Sequence, residues 1–184
     1  MVAELNLESV RVKIRPAVMA DVPGIQRVAD LAWSSTFADR FSPELIAEVL
    51  ANYYSWARLA DDVQKAAAFL VAEADEIVGY CHFRWSSSSA SQVAPAKQLV
   101  SANQRALELS RLYLLPAWQG HGIGRELFQK GLERAGGACA VTLTVEKGNW
   151  RARRFYEKLG FKPVGERIWT LGTGSIELVE YILL

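Results

Sequence analysis

The sequence predicts a single α/β domain with a mixed, mostly antiparallel sheet and one central parallel βαβ unit. Segments with strand-like apolar patterns are interspersed with segments of helical periodicity. Two pairs of strand segments are joined by short turns, at residues 73–76 and 172–174, which predicts antiparallel hairpins. Between the hairpins a strand, a helix and a strand follow one another, and this connection makes the two strands parallel. The 184 residues, 51% of them hydrophobic, suit one domain with a substantial core.

The first third of the chain predicts one strand followed by three helices. Residues 10–14 alternate apolar and charged side chains, as in a strand with one buried face, and an arginine–proline pair ends the segment. Asp21 offers an N-cap ahead of apolar residues at helical spacing. Ser42 offers a second cap for a helix that runs to about Ala51, and residues 53–64 predict a third helix.

The middle third predicts an antiparallel hairpin and then a long connection. The two strands of the hairpin cover residues 67–72 and 77–85. Residues 86–106 contain a serine-rich tract without a clear period, and they are many for a connection inside a compact domain. We expect this segment to form either a lid or a partly helical insertion.

The last third predicts the parallel unit, a further helix and a closing hairpin. Gly160 ends the further helix, as glycine commonly does at a C-terminus. The segments are, in order, a strand at 107–115, a helix at 123–135, a strand at 139–145, a helix at about 150–159, and strands at 164–171 and 176–184.

Composition excludes several classes of partner. The 21 basic and 20 acidic residues nearly balance, so no global field favours nucleic acid or an anionic membrane. The start lacks the pattern of a secretion signal and no apolar run is long enough to span a bilayer, so a cytoplasmic location is expected.

Cys81 and Cys139 lie in apolar strand segments and suit buried reduced thiols. His82 and His121 are too few and too far apart for a zinc motif, and we expect no metal.

The most informative segment is the glycine-rich turn between the central strand and its helix. It reads Gln119-Gly120-His121-Gly122-Ile123-Gly124. Glycines let the backbone approach a ligand, and the free N–H groups and positive dipole end of a helix attract phosphate. The spacing is neither that of a P-loop nor that of a dinucleotide fingerprint. A turn whose glycines merely allow helix packing is the alternative.

Two motifs, in order and correctly spaced, resemble those of the GNAT superfamily of CoA-dependent N-acetyltransferases. The turn resembles the family's Gln/Arg-x-x-Gly-x-Gly/Ala, and residues 149–161 resemble its Asn-x-x-Ala-x-x-Phe-Tyr-Glu-Lys-x-Gly-Phe. The resemblance of element order covers nearly the whole chain, and that of residues covers 108–161. It implies that residues 1–184 form one domain of the GNAT fold, that acetyl-CoA is the cosubstrate, and that the acetyl group passes to an amine.

The resemblance also implies which residues bind the cosubstrate. Backbone N–H groups of the turn would hold the pyrophosphate, backbone groups of the central strand would pair with pantetheine, and an asparagine would contact the pantetheine arm while capping its helix. Arg125 could meet the nucleotide phosphates, although a solvated helix face is its other possible role. Besides Arg125, the residues predicted to bind the cosubstrate are Leu112, Leu114, Gln119, Gly120, His121, Gly122, Ile123, Gly124 and Asn149.

Two side chains are candidates for proton transfer. Glu108 lies eleven residues before the turn, at a spacing the family often uses for a glutamate base; a salt bridge with Arg105 or Arg111 is its structural alternative. Tyr156 corresponds to a family tyrosine that points to the cosubstrate sulfur and can protonate it, whereas Phe155 would pack into the core. The alternative for Tyr156 is a half-buried structural residue.

Strand alternation gives an expectation about the central strand. It places Glu108 and Ser110 on one face with Leu112 and Leu114, and Arg111 and Tyr113 on the other, unless a bulge intervenes.

The acceptor is expected opposite CoA, in a region rich in aromatic residues. Aromatic rings with a few acids would suit a small cationic amine, polyamine-like or amino-acid-like, by direct attack, although such aromatics can equally be core residues. The candidate acceptor-site residues are Trp33, Phe37, Asp39, Phe41, Tyr53, Tyr54, Trp56 and Trp85.

Two functions are alternatives to acetylation of a small amine. They are acetylation of a protein N-terminus or lysine, and noncatalytic sensing of acyl-CoA. A homodimer through the apolar strand 176–184 is possible.

Overall fold

The computed structural model describes residues 11–86, 106–136 and 140–184, and these form one seven-stranded sheet with helices on both faces. The strands are β1 Lys13–Pro16, β2 Ala68–Glu73, β3 Ile77–Trp85, β4 Ala106–Leu114, β5 Ala140–Glu146, β6 Lys162–Leu171 and β7 Gly174–Leu183. The helices are α1 Val22–Phe37, α2 Pro43–Tyr53, α3 Trp56–Lys65, α4 Ile123–Ala135 and α5 Trp150–Lys158.

The strand order is β1-β2-β3-β4-β5-β7-β6, with β4 and β5 parallel and the other neighbouring pairs of described strands antiparallel. This confirms the predicted fold class. Since β7 lies between β5 and β6, both of its edges are paired, and β6 forms the outer edge at this end of the sheet. The backbone of residues 176–184 therefore offers no free edge for the homodimer considered above. No helix in the described ranges combines the length and apolarity needed to cross a membrane.

Three local predictions have different outcomes. Strand β1 continues through Pro16, because a proline at the end of an edge strand forfeits no needed hydrogen bond. Asp21 occupies the N-cap position of α1, as predicted, but its side chain does not cap the helix, because its carboxylate accepts from the N–H of Val18 at 2.8 Å. The cap at Ser42 is confirmed, because its hydroxyl accepts from the N–H of Leu45 at 3.3 Å.

The predicted connection at residues 86–106 lies outside the described residues except for its two ends, and Cys139 lies outside them as well.

A bulge interrupts β4. Phe83 of β3 pairs with Leu109 and His82 pairs with Arg111, so Ser110 is the extra residue. A bulge reverses the alternation beyond it. The face assignment without a bulge is therefore wrong beyond Ser110. Leu107, Leu109, Leu112 and Leu114 all belong to the apolar cluster under α4 and α5, whereas Glu108, Arg111 and Tyr113 share the opposite face, beneath α1 to α3.

The sheet opens beside the bulge. Strands β4 and β5 pair at three positions, the last being Glu108 with Thr142, although β4 continues to Leu114 and β5 to Glu146. The two strands diverge beyond this point. The divergence leaves an open edge on the second half of β4.

Candidate active site

The glycine turn forms an open cradle at the start of α4. Gly120 and Gly122 have φ of 90° and 82°, in the left-handed region that favours glycine. A Cβ added at either would meet no atom within 4 Å, so the space over the turn is open. Helix α4 has no side-chain cap, which leaves the N–H groups of its first turn, starting at Ile123, available to a ligand. These features fit a phosphate group.

The other residues of the turn have distinct positions. The side chain of Gln119 donates from Nε2 to the carbonyl of Leu114 at 2.9 Å, which ties the turn to the end of β4. His121 and Arg125 are exposed, and Gly124 is buried. The sequence predicts that the N–H of Gln119 binds phosphate, whereas in the structure this N–H donates to the carbonyl of Pro116 at 3.2 Å, because residues 116–118 form a short helical turn.

The open edge of β4 presents backbone groups to the divergence. The N–H of Leu115 donates to the carbonyl of Val78 on the β3 side at 2.9 Å. Because successive residues of a strand direct their hydrogen-bonding groups to alternate sides, those of Leu112 and Leu114 point away from β3 and towards the diverging β5. The carbonyl of Leu114 is held by Gln119. No described strand pairs with the backbone groups of Leu112 on this side, which leaves both for a strand-like ligand.

Helix α5 starts at the far side of the divergence. Asn149 caps it by accepting from the N–H of Ala152 at 3.1 Å, as the sequence predicts. Tyr156 is buried, whereas Phe155 is only partly buried and would lie 3.6 Å from a Cβ built on Gly124. Phe155 packs against the apolar cluster at the junction of α4 and α5, as predicted, but Tyr156 is the more deeply buried of the pair.

The Tyr156 ring lies among apolar side chains, in edge contact with Phe155 and Phe161. Burial, together with the nearby Cys81 thiol, raises the pKa of Tyr156 well above its ordinary value. Cys81 is paired with Leu112, so the phenol lies near the open part of β4. A phenol with a raised pKa stays protonated at neutral pH and can donate a hydrogen bond to a developing thiolate.

Glu108 faces the cleft beneath α1 to α3, and its carboxylate is ion-paired. Arg84, directly opposite on β3, donates from Nη2 to both carboxylate oxygens at 2.9 and 2.8 Å. The Ser110 hydroxyl lies 3.4 Å from Oε1. The predicted partner Arg111 binds elsewhere, and Arg105 lies outside the described residues. Glu108 keeps 30% of its side-chain surface exposed, so solvent and an acceptor can reach it.

A buried polar cluster lies deeper in the same cleft, and sequence reasoning did not find it. Arg111 donates to Oδ2 of Asp62 at 2.7 Å, to Nδ1 of His82 at 3.0 Å and to the carbonyl of Tyr53 at 2.8 Å. Burial and the Arg111 charge lower the pKa of His82 to about 3. Since arginine can only donate, Nδ1 accepts and the proton of the neutral ring is on Nε2. His82 is therefore unsuited to act as a base. No motif signals this cluster, because its members come from α3, β3 and β4.

Aromatic residues form one wall of the cleft, which has a volume of about 480 Å³. Trp33 and Tyr54 both hydrogen-bond the hydroxyl of Tyr113, at 3.2 and 2.8 Å. Asp39, Trp56 and Trp85 do not line it, and Trp56 is 54% exposed. The predicted aromatics that line it are Trp33, Phe37, Phe41, Tyr53 and Tyr54.

Comparisons with known proteins agree with this geometry. The model of the Acetyltransferase (GNAT) family matches residues 25–161. The chain belongs to the GNAT family. It is 35% identical over 158 residues to an uncharacterized N-acetyltransferase of Mycobacterium tuberculosis, covering 84% of this chain and 91% of that protein. The GNAT assignment from the two sequence motifs is thereby confirmed, and the chain is an N-acetyltransferase.

Two further similar proteins bear on the site. The chain is 30% identical over 150 residues to the mycothiol acetyltransferase of Corynebacterium glutamicum, covering 78% of this chain and 44% of that protein. The crystal structure of the PaiA N-acetyltransferase from Thermoplasma acidophilum in complex with coenzyme A superposes with a TM-score of 0.71 at 25% identity, covering 92% of this chain and 98% of that one. A GNAT protein of closely similar fold thus binds coenzyme A.

Proposed function

We propose that this GNAT enzyme moves the acetyl group of acetyl-CoA to the primary amine of a small molecule bound in the cleft beneath α1 to α3. The observation that carries the proposal is the divergence of β4 and β5. It lies between the uncapped glycine turn on one side and the cleft that contains Glu108 on the other. A thioester reaching through the divergence would meet an amine in the cleft. The mycothiol acetyltransferase relative supports a small-molecule acceptor.

The residues proposed to hold acetyl-CoA follow from this placement. The pyrophosphate would accept from backbone N–H groups of residues 120–124, with Arg125 beside it, because the N–H of Gln119 already donates to the carbonyl of Pro116 at 3.2 Å. The pantetheine arm would pair with the backbone of Leu112 and Leu114 and contact Asn149. When bound, the cosubstrate supplies an activated acyl group. Residues of this chain bind and orient the two substrates and transfer the protons.

Direct attack by the amine is favoured over an acyl-enzyme. Burial raises the pKa of Cys81 to about 12, and its Sγ lies 3.3 Å from the carbonyl of Leu127 in the core. A thiol is nucleophilic only as the thiolate, so Cys81 cannot take the acetyl group at neutral pH.

Glu108 is proposed to receive the proton of the attacking amine, directly or through water. We expect Glu108→Gln to lower kcat/KM for an amine by about 100-fold at neutral pH and to change its alkaline dependence, because the amine then loses its proton acceptor. Arg84→Gln breaks the same ion pair but keeps the carboxylate, so its pH profile should keep the wild-type shape. Steady-state kinetics from pH 6 to 10 measure both. Identical profiles for wild type and Glu108→Gln would assign Glu108 to structure.

Tyr156 is proposed to protonate the departing sulfur. Tyr156→Phe should lower kcat by about 100-fold and leave the Kd of acetyl-CoA unchanged, because the ring keeps its packing while the donor is lost. The matched control is Tyr181→Phe, which removes another buried tyrosine hydroxyl, one that accepts from Arg153 and donates to Glu157 of α5. It should leave kcat within about threefold. Equal kcat values for the two variants would remove Tyr156 from the chemistry.

Release of free thiol from acetyl-CoA over a panel of amines, peptides and proteins tests the function itself. Turnover with small amines supports the proposal, and turnover confined to protein substrates contradicts it. Tight acetyl-CoA binding without amine-dependent release would indicate a noncatalytic sensor.

A further inference from the structure

The charges that line the acceptor cleft do not suit a polycation. Four arginines line it among the described residues, Arg58, Arg84, Arg111 and Arg167, against two carboxylates, Glu108 and Glu146. Both carboxylates are ion-paired, Glu108 with Arg84 and Glu146 with Arg40. His82 is neutral, and Asp62 is shared by Arg58 and Arg111. An acceptor with several positive charges would therefore enter a site without a free anion among the described residues.

The aromatic wall does not form a cage for an ammonium group either. The guanidinium of Arg111 lies over the ring of Tyr54, with its Cζ 5.0 Å from the centroid, and that of Arg40 lies over Phe37 at 5.2 Å. Tyr53 is in edge contact with Trp169. Arginines of the protein thus already make the cation–π contacts that a cationic ligand would need at these rings.

Arg167 is the lining arginine best placed to receive an anion. Its Nε lies 3.4 Å from Oε1 of Glu180, and no other described residue forms an ion pair with its guanidinium. Glu180 is 4% exposed and lies beneath it on β7, and Oε1 accepts no hydrogen bond from the described residues. Because the negative charge of the buried Glu180 carboxylate is only partly compensated, it attracts and orients the guanidinium of Arg167. The Nη nitrogens remain available for a fork-like pair with a carboxylate.

The position of Glu180 sets the length of the acceptor. Strand β7 lies two strands from β4, with β5 between them. Glu180 pairs with Thr144, beyond the last β4–β5 pair at Thr142, so a spacing of about 4.8 Å per paired strand gives a lower limit. The guanidinium above Glu180 is therefore at least about 10 Å from the reacting edge of β4. Three residues of extended chain span roughly 10 Å. A free α-amino acid is too short to reach both positions.

We propose that the acceptor is an amine that also carries a carboxylate, separated from it by about the length of a tripeptide, and that Arg167 binds this carboxylate. The inference rests on the proposed function and narrows its acceptor class. It favours amino-acid-like acceptors over polyamine-like ones, which the sequence left open.

The first test compares four acceptors in the thiol-release assay with the whole protein: trialanine, trialanine amide, alanine and spermidine. We expect kcat/KM for trialanine to exceed that for its amide by at least about 10-fold, because the amide keeps the amine and length but lacks the charge. Equal values for acid and amide, or a higher value for alanine or spermidine, would overturn the inference and leave acetyl transfer intact. Thiol release with none of the four would overturn the proposed function as well.

The second test assigns the preference to Arg167. Arg167→Gln should reduce the acid-to-amide ratio to about one by raising KM for the acid, with the amide and acetyl-CoA affinity unaffected. Because this variant leaves Glu180 unpaired, the double variant Arg167→Gln with Glu180→Gln checks the same ratio without a buried charge. Lys147→Gln removes a positive charge that pairs with Glu166 and Glu177 outside the cleft, and it should keep the wild-type ratio. A preference for the acid that survives in both Arg167 variants would overturn the assignment.

Discussion

Gly122→Asp is expected to weaken acetyl-CoA binding by at least about 1,000-fold, or roughly 4 kcal/mol. The substitution places a carboxylate in the open space over the turn, beside the first N–H groups of α4, where the pyrophosphate is proposed to lie. Like charges then meet at the binding site, and the side chain keeps the ligand from the backbone. Isothermal titration calorimetry with acetyl-CoA measures the loss.

Gly122→Asn is the matched control for charge. Asparagine has the shape of aspartate and tolerates a positive φ about as well, so backbone strain at φ 82° is common to both variants. We expect Gly122→Asn to bind at least about 10-fold more tightly than Gly122→Asp. An aspartate variant that retains wild-type affinity would place the pyrophosphate elsewhere.

Asp62→Ala is expected to lower the free energy of unfolding by about 3–5 kcal/mol. The side chain of Asp62 is 9% exposed, and that of its partner Arg111 is 7% exposed. Without the carboxylate, the guanidinium of Arg111 stays buried beside His82, whose neutral ring cannot compensate its charge. Urea denaturation followed by circular dichroism gives the change.

Asp61→Ala provides the control, one position away on α3. Its carboxylate is 46% exposed and pairs with Lys65 at the surface, so we expect a change within about 0.5 kcal/mol. The double variant Asp62→Leu with Arg111→Met should recover part of the loss, because it leaves no buried charge. A loss below about 1 kcal/mol for Asp62→Ala would show that solvent reaches Arg111.

The sequence by itself determined the features that depend on neighbouring residues. The order of helices and strands follows from local apolar periods. The left-handed turn follows from its glycines, and the cap of α5 follows from Asn149, because backbone conformation and capping are set within a few residues. The GNAT family could be identified because both of its motifs are local.

Only the tertiary structure decided which distant residues meet. The bulge at Ser110 reversed the faces of β4 and brought Arg111 into the cleft with Glu108, whose partner is Arg84 of β3. The arginine content of the acceptor cleft likewise comes from α3, β3, β4 and β6 together. Strand register and helix packing fix these contacts, and a shift of one residue exchanges the two faces of a strand. For that reason a pattern read along one segment predicts the segment but not its partners.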